Sequence, residues 1–378
     1  MHVCIPMLEA RDAHVVEPIA NFWWIMKKKK MIFICENPNN IGDLFLLLQN
    51  LEFTGDKDIL ALLRTYGAIA PHIRKPLEDR GVKLVDGRNA LSFLVACWGS
   101  DVVIGGGQMI RDNVSLRGLA ILFVGLVLTR LSGGNVKTRG MGVSPIRKKL
   151  LKMLWKKVLQ LCDKVVVRDI ASVANGSRLV ARPKIELAAD MAFLPSKQNK
   201  RLRNAADARP TQSGCVIIAP CIDEEREMGG TAFNDLVAAL KQVFPSSKFV
   251  ILCHDIREEM DKRAARIIKS QSGLGDAQVA APHDLDTVLS YYEQAHFVVT
   301  NRLHSAIFSL LSGRPLLVWA DNSEKLNGVC AEFYIPSLKN DDTAEKIKET
   351  LAASLSFNRN QRDAALRNKV ELSRKNIY

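Results

Sequence analysis

Paired cysteines, a membrane-length apolar run and a nucleotide-binding P-loop are all missing from this chain, and each absence closes off a class of function. Eight cysteines stand at positions 4, 35, 97, 162, 215, 221, 253 and 330, none of them in a Cys-x-x-Cys pair. Several (Cys35, Cys215, Cys253) lie inside apolar, strand-like runs. That is the pattern of reduced, buried thiols in a cytosolic protein rather than of a disulfide frame. The seven histidines form no cluster with metal-ligand spacing. Aromatic residues make up only 6 % of the chain, with no zinc-finger spacing, RNA-recognition signature or basic–aromatic alternation, so nucleic acid is not an expected partner. The longest apolar run, Gly118–Thr129, ends at Arg130 and falls short of the ~20 residues that cross a bilayer, so a buried or interfacial helix is expected there. Residues 1–30 lack a signal-peptide layout, because the basic run Lys27–Lys30 comes last rather than first; a poorly ordered extension is expected.

What the chain does have is positive charge. A formal net charge of +13, with 47 % hydrophobic and 25 % charged residues, describes a globular protein drawn to something anionic. An acidic membrane face and anionic small substrates are the candidates. At 378 residues, two domains are expected.

From Met31 onward, short β-branched runs alternate with helical segments, the mark of a parallel α/β sheet. Strands are expected at Ile32–Cys35, Val82–Val85, Asp101–Ile104, Thr138–Val143 and Lys164–Val167. The stretch 196–213 is rich in Lys, Arg, Asn and Ala, contains Pro210 and lacks apolar periodicity, so it reads as an inter-domain linker. A second α/β unit follows, with strands at Cys215–Ala219, Lys248–Cys253, Gln278–Ala280, Phe297–Val299 and Pro315–Trp319. The expected fold is therefore α/β, with a domain at 31–195, another at 214–343 and a helical segment at 344–378. Two Rossmann-like halves facing across a cleft are similar to the GT-B architecture.

Ligands of open α/β sheets sit beyond the strand carboxyl ends, so polar residues there carry the functional reading. Thr300-Asn301-Arg302-Leu303-His304 lies where one strand hands over to a helix. If strand geometry ran on through that junction, Arg302 and His304 would face the crevice together, an anion clamp beside a proton donor. Gly105-Gly106-Gly107-Gln108 follows another strand, and glycine there lets backbone N–H groups approach an anion. Arg168, after three valines, either pairs with Asp169 or Asp190 or faces a ligand. Lys325 follows the next strand after the Arg-x-His loop.

Taken in order, these motifs resemble the polysaccharide pyruvyl transferase family. The matching residues are Asn40-Ile41-Gly42-Asp43, Gly105-Gly106-Gly107, Gly140-Met141-Gly142-Val143-Ser144-Pro145, and Val167-Arg168-Asp169 with Ser172. They continue with Ala189-Asp190-Met191-Ala192-Phe193, Arg302-Leu303-His304 and Lys325. The resemblance implies transfer of pyruvate from phosphoenolpyruvate to two hydroxyls of a sugar, giving a cyclic ketal and phosphate. It implies His304 as general acid with Arg302 beside it, and Arg168, Lys325, Gly106, Gly107 and Asp43 around the substrates. Neither metal nor organic cofactor is expected, phosphoenolpyruvate being a substrate.

The segment Arg147–Leu161 adds a basic amphipathic helix. Leu150, Leu151, Leu154, Val158 and Leu161 are expected on one side, lysines around the other and Trp155 at the boundary. Such a helix packs on a core or lies on an anionic membrane, where a lipid-linked acceptor at the inner face of the plasma membrane would be met. Two other functions stay open: a GT-B glycosyltransferase using a nucleotide sugar, and a non-catalytic glycan- or membrane-binding module.

Overall fold

A computed structural model describes residues 30–35, 37–54, 58–63, 70–86, 89–206, 214–222, 228–319, 324–356 and 359–377. Strands β1 (Lys30–Cys35), β2 (Asp58–Leu63), β3 (Lys83–Asp86), β4 (Ser100–Gly105) and β5 (Val136–Arg139) form one sheet, in the order β3-β2-β1-β4-β5. Short strands β6 (Val165–Val167) and β7 (Ile185–Leu187) pair with each other and join β5 through a bridge between Met141 and Val167. The second sheet has the order β10-β9-β8-β11-β12-β13. Its strands are β8 (Cys215–Ala219), β9 (Lys248–Leu252), β10 (Gln278–Ala280), β11 (Ala295–Thr300), β12 (Leu316–Trp319) and β13 (Ser337–Leu338). All ladders are parallel, which requires helical crossovers that cover both faces.

The alternation of side chains along the central strands distributes the core into three parts. Met31, Phe33 and Cys35 of β1 and Cys215, Ile217 and Ala219 of β8 feed one apolar cluster shared by both halves. Ile32 and Ile34 point the other way, under the helices Ala90–Cys97, Leu116–Leu131 and Lys149–Leu161. Val216 and Ile218 likewise point to a cluster private to the second half. In the shared core, Phe45 meets Phe308 edge-on with ring centroids 4.9 Å apart, and Phe193 stacks on Phe333 at 5.7 Å. The helix Ile41–Glu52 lies in this seam.

The segment expected to be a linker is partly a helix, Lys197–Ala206. Leu202 is buried in the shared core, and Arg201 is held by Glu293 and by Asp286 at 2.9 Å. Its basic composition hid one buried apolar residue and one buried Asn199. Strands β2, β7 and β13 also form where no strand was expected; the last two are only three and two residues long. At the other end, the helix Arg359–Ser373 brings Asn376 back to the first half, where its amide donates to the Ala189 carbonyl at 2.9 Å. The expected extension falls at residues 1–29, outside the described residues, apart from Lys30, which opens β1.

Seven cysteines are described, all buried and none in a disulfide. Burial pushes the thiols of Cys97, Cys162, Cys253 and Cys330 up to about 12. They stay protonated and are packing groups rather than nucleophiles. Among the described residues, no helix is long and apolar enough to cross a membrane.

The shared core predicts that Phe308→Ala destabilises the whole chain by roughly 3–5 kcal/mol, since the cavity opens where both halves meet. Urea unfolding should show one transition shifted to lower denaturant. A second transition reporting on only one sheet would contradict a common core.

Candidate active site

Both large sheets reverse strand order at one place, between β1 and β4 and between β8 and β11. Chain segments leaving those carboxyl ends diverge to opposite sides and leave a crevice. On one side lie Asn39–Gly42 after β1 and Gly105–Gln108 after β4. On the other lie Pro220-Cys221 after β8, Cys253–Ile256 after β9 and Asn301–His304 after β11.

The two sides touch through backbone. Ile41 N–H donates to the His254 carbonyl at 2.9 Å, and Ile256 N–H donates to the Asn39 carbonyl at 3.2 Å. Asn40 caps the helix Ile41–Glu52, its side chain accepting from Gly42 N–H at 3.0 Å. Gly42 then packs directly on His304. A Cβ at Gly42 would lie 2.6 Å from His304 Cγ and closer still to Nδ1, so only glycine lets the imidazole take this place. Asp43 is half-buried in the same first turn.

The Arg-x-His element is built differently from the strand-like expectation. The helix Leu303–Leu311 starts one residue after Arg302, so alternation no longer applies and the two side chains diverge. Arg302 is buried, its Nη2 bound to Asp261 and its Nε donating to the Pro220 carbonyl at 3.2 Å. Asp261 also accepts the backbone N–H groups of His254 and Asp255 at 2.8 and 2.9 Å. Burial opposes the Arg302 charge, but Asp261, Cys221 and Asp255 around it together push the guanidinium further up, so it stays cationic. Thr300 Oγ1 donates to the Ala219 carbonyl at 2.7 Å, and the Asn301 amide bonds both backbone groups of Cys221. Thr300, Asn301 and Arg302 thus lock the ends of β8, β9 and β11 together, while half-buried His304 turns to the other half of the molecule.

Arg168 plays the corresponding part in the first half. Its guanidinium reaches Asp190 at 3.0 Å, Asp169 at 3.3 Å and Gln108 Oε1 at 2.7 Å. Gln108 in turn donates to Ser144 Oγ at 2.7 Å, and Asp169 caps the helix Ile170–Ser177. The motifs containing Gln108, Ser144, Arg168 and Asp190 therefore meet at one buried cation. Both arginines are thus compensated by carboxylates: Arg168 takes the paired alternative with Asp169 and Asp190, and Arg302 is held by Asp261, so each braces a crevice wall. Gly106 and Gly107 adopt φ of 76° and 89°, a turn closed to other residues, with Gly106 N–H donating to the Arg139 carbonyl. Lys325 lies in the first turn of the helix Glu324–Phe333, but its side chain falls outside the described residues.

The sequence reading passed over His254, although it follows β9 as Arg302 follows β11. Its imidazole is fully buried, with Nε2 2.7 Å from Tyr292 Oη, which donates onward to Ser305 Oγ at 2.6 Å. With the tyrosine proton on Ser305, His254 carries its proton on Nε2 and leaves Nδ1 as a buried acceptor with no hydrogen bond. Burial, then the charges of Arg302 and His304, push its pKa well below 6.5. In the folded chain His254 is therefore neutral, and in the unfolded chain it takes up a proton below about 6.5. Stability is complete above that pH and is lost as pH falls toward the folded value, at up to ~1.4 kcal/mol per pH unit. Urea titrations from pH 7 to 5 should show this loss, and His254→Gln should flatten it by one proton. An unchanged slope in the variant would assign the pH dependence elsewhere.

Comparison with known proteins follows the same lines. No curated protein sequence matches the chain. Among solved structures it is similar to UDP-GlcNAc 2-epimerase from Methanocaldococcus jannaschii, at 13 % identity and TM-score 0.56, covering 87 % of this chain and 94 % of that one. It is also similar to UDP-GlcNAc 2-epimerase from Neisseria meningitidis, at 13 % identity and TM-score 0.55, covering 92 % and 98 %. These likenesses establish a GT-B-like fold. The pattern of the polysaccharide pyruvyl transferases matches residues 14–322, beginning inside the segment expected to be a poorly ordered extension. The chain belongs to the polysaccharide pyruvyl transferase family.

Proposed function

We propose that the chain moves pyruvate from phosphoenolpyruvate to two hydroxyls of one sugar in a lipid-linked oligosaccharide, at the inner face of the plasma membrane. The observation that carries the reading is His304, presented by the second half against Gly42 of the first. Protonation of the enol phosphate at its methylene carbon leaves an oxocarbenium-like carbon. One sugar hydroxyl adds to it, the carbon–oxygen bond to phosphate breaks, and the second hydroxyl closes the ketal. Of the two hydroxyl protons, one replaces the proton given to the methylene and the other leaves with phosphate. His304 is the acid for the first step, since an imidazole both gives and retakes a proton near neutral pH.

The anionic donor needs positive potential. Helices Ile41–Glu52 and Leu303–Leu311 start at the Gly42–His304 contact, and each presents the positive end of its dipole. Arg302 and Arg168 act behind this surface by fixing the strand ends, with Lys325, Asp43, Gly106 and Gly107 as the remaining substrate-side positions.

His304→Gln should lower acceptor-dependent phosphate release from phosphoenolpyruvate by about 10²–10⁴-fold while leaving the melting temperature in place. Full retained turnover would remove His304 from the mechanism. Gly42→Ala should act through the same group: the new methyl displaces the imidazole, lowering kcat on the order of 10²-fold with little change in KM. Phosphoenolpyruvate should raise the melting temperature more than nucleotide sugars do; the opposite order would favour a nucleotide-sugar glycosyltransferase.

A further inference from the structure

The outer surface of the first half carries an apolar ridge with no partner among the described residues. The helix Leu116–Leu131 runs in the middle of the layer formed with Ala90–Cys97 and Lys149–Leu161. It buries Leu119, Leu122, Gly125, Leu126 and Thr129. Its opposite face carries Ala120, Val124, Val127 and Leu131 at spacings of four, three and four residues, a continuous line along the outside. Val124 is 44 % exposed and Leu131 72 %. This explains why the run has almost no amphipathic pattern: both faces are apolar, one turned to the core and one to solvent.

The neighbouring helix differs from its sequence expectation in the same direction. Trp155 is fully buried rather than at the boundary, packed inward with Leu151, Val158 and Leu159. Leu150, expected inside, is 61 % exposed, and Met153 is 53 % exposed. Around them Lys149, Lys152, Lys156 and Lys157 face solvent, and the Lys157 ammonium lies 6.0 Å from the Phe123 ring on the ridge helix. Across both helices the sequence holds these four lysines with Arg117 and Arg130 and no acidic residue.

We propose that this two-helix face docks on an anionic lipid bilayer, Val124, Leu131, Leu150 and Met153 entering the headgroup boundary and the lysines contacting lipid phosphates. Charge decides the occupant. A second copy related by a two-fold axis would set the same lysines against themselves. A bilayer with acidic headgroups satisfies both the apolar ridge and its cationic border. The proposal deepens the reading of a lipid-linked acceptor but does not depend on the transfer chemistry.

The test is sedimentation of the full chain with vesicles of phosphatidylcholine alone or with roughly a third phosphatidylglycerol. The chain should pellet with the anionic vesicles only, and less so as salt is raised. Val124→Glu/Leu131→Glu and Lys149→Glu/Lys156→Glu should each lower binding at least ten-fold. Both variants change exposed positions, and unaltered melting and phosphate release with a water-soluble acceptor would show them folded. Wild type remaining in solution with both vesicle types, or binding unaffected by either variant, would overturn the proposal. Self-association of wild type that Val124→Glu abolishes would assign the face to a second copy instead. Vesicle binding is read without phosphoenolpyruvate, so its failure and that of the transfer reaction are separable.

Discussion

The helix Ile41–Glu52 must satisfy two sheets at once, and this constraint organises the rest. Its first turn docks on the loop after β9 and on His304; Phe45, one turn on, meets Phe308 of the second half. Further along, Asn50 accepts from Arg139 at the end of β5 at 3.2 Å, and Gln49 donates to Ser196 at 2.7 Å. One helix thereby sets the relative position of both crevice walls near the candidate acid. A short interdomain tether would leave the crevice free to open, whereas this seam is packed like an interior.

The electrostatics follow from that packing. Arg168 and Arg302 sit in dry surroundings, where an uncompensated guanidinium is costly, and each is matched by a buried carboxylate: Asp190, which follows β7, and Asp261, which opens the helix Asp261–Gln271. Each pair also accepts or donates backbone hydrogen bonds, so loops that would otherwise splay are held in one arrangement. In front of them lie helix termini, glycine turns and His304, the surface proposed above for the substrates. Burial also pushes Arg139 down to about 10, beside the Phe33 ring, consistent with an arginine used as cement rather than as bait.

Much of this was legible in the sequence, and the failures have physical causes. Central strands β1, β8 and β11 are buried on both faces, and their unbroken apolar runs announce them. Strand β13 is two residues long and β7 three, too short for any periodicity to register. The ordered motifs led to the family, and Arg168 with Asp169 and Asp190 was open to either use. The alternation applied to Arg302 and His304 failed because a helix begins between them. His254 escaped because nothing local separates a packed histidine from a functional one; its bond to Tyr292 spans 38 residues.

The contact between Asn376 and the Ala189 carbonyl closes a loop of 187 residues beside Asp190, the partner of Arg168. At about 5–20 residues per second, a ribosome needs roughly ten to forty seconds to supply the second partner after the first. During that interval the first half is already out, with Phe33, Phe45 and Phe193 still waiting for their counterparts. The crevice wall around Arg168 therefore gains this fastening only once residue 376 has been made. Until then the nascent first half exposes apolar surface that the second half later covers.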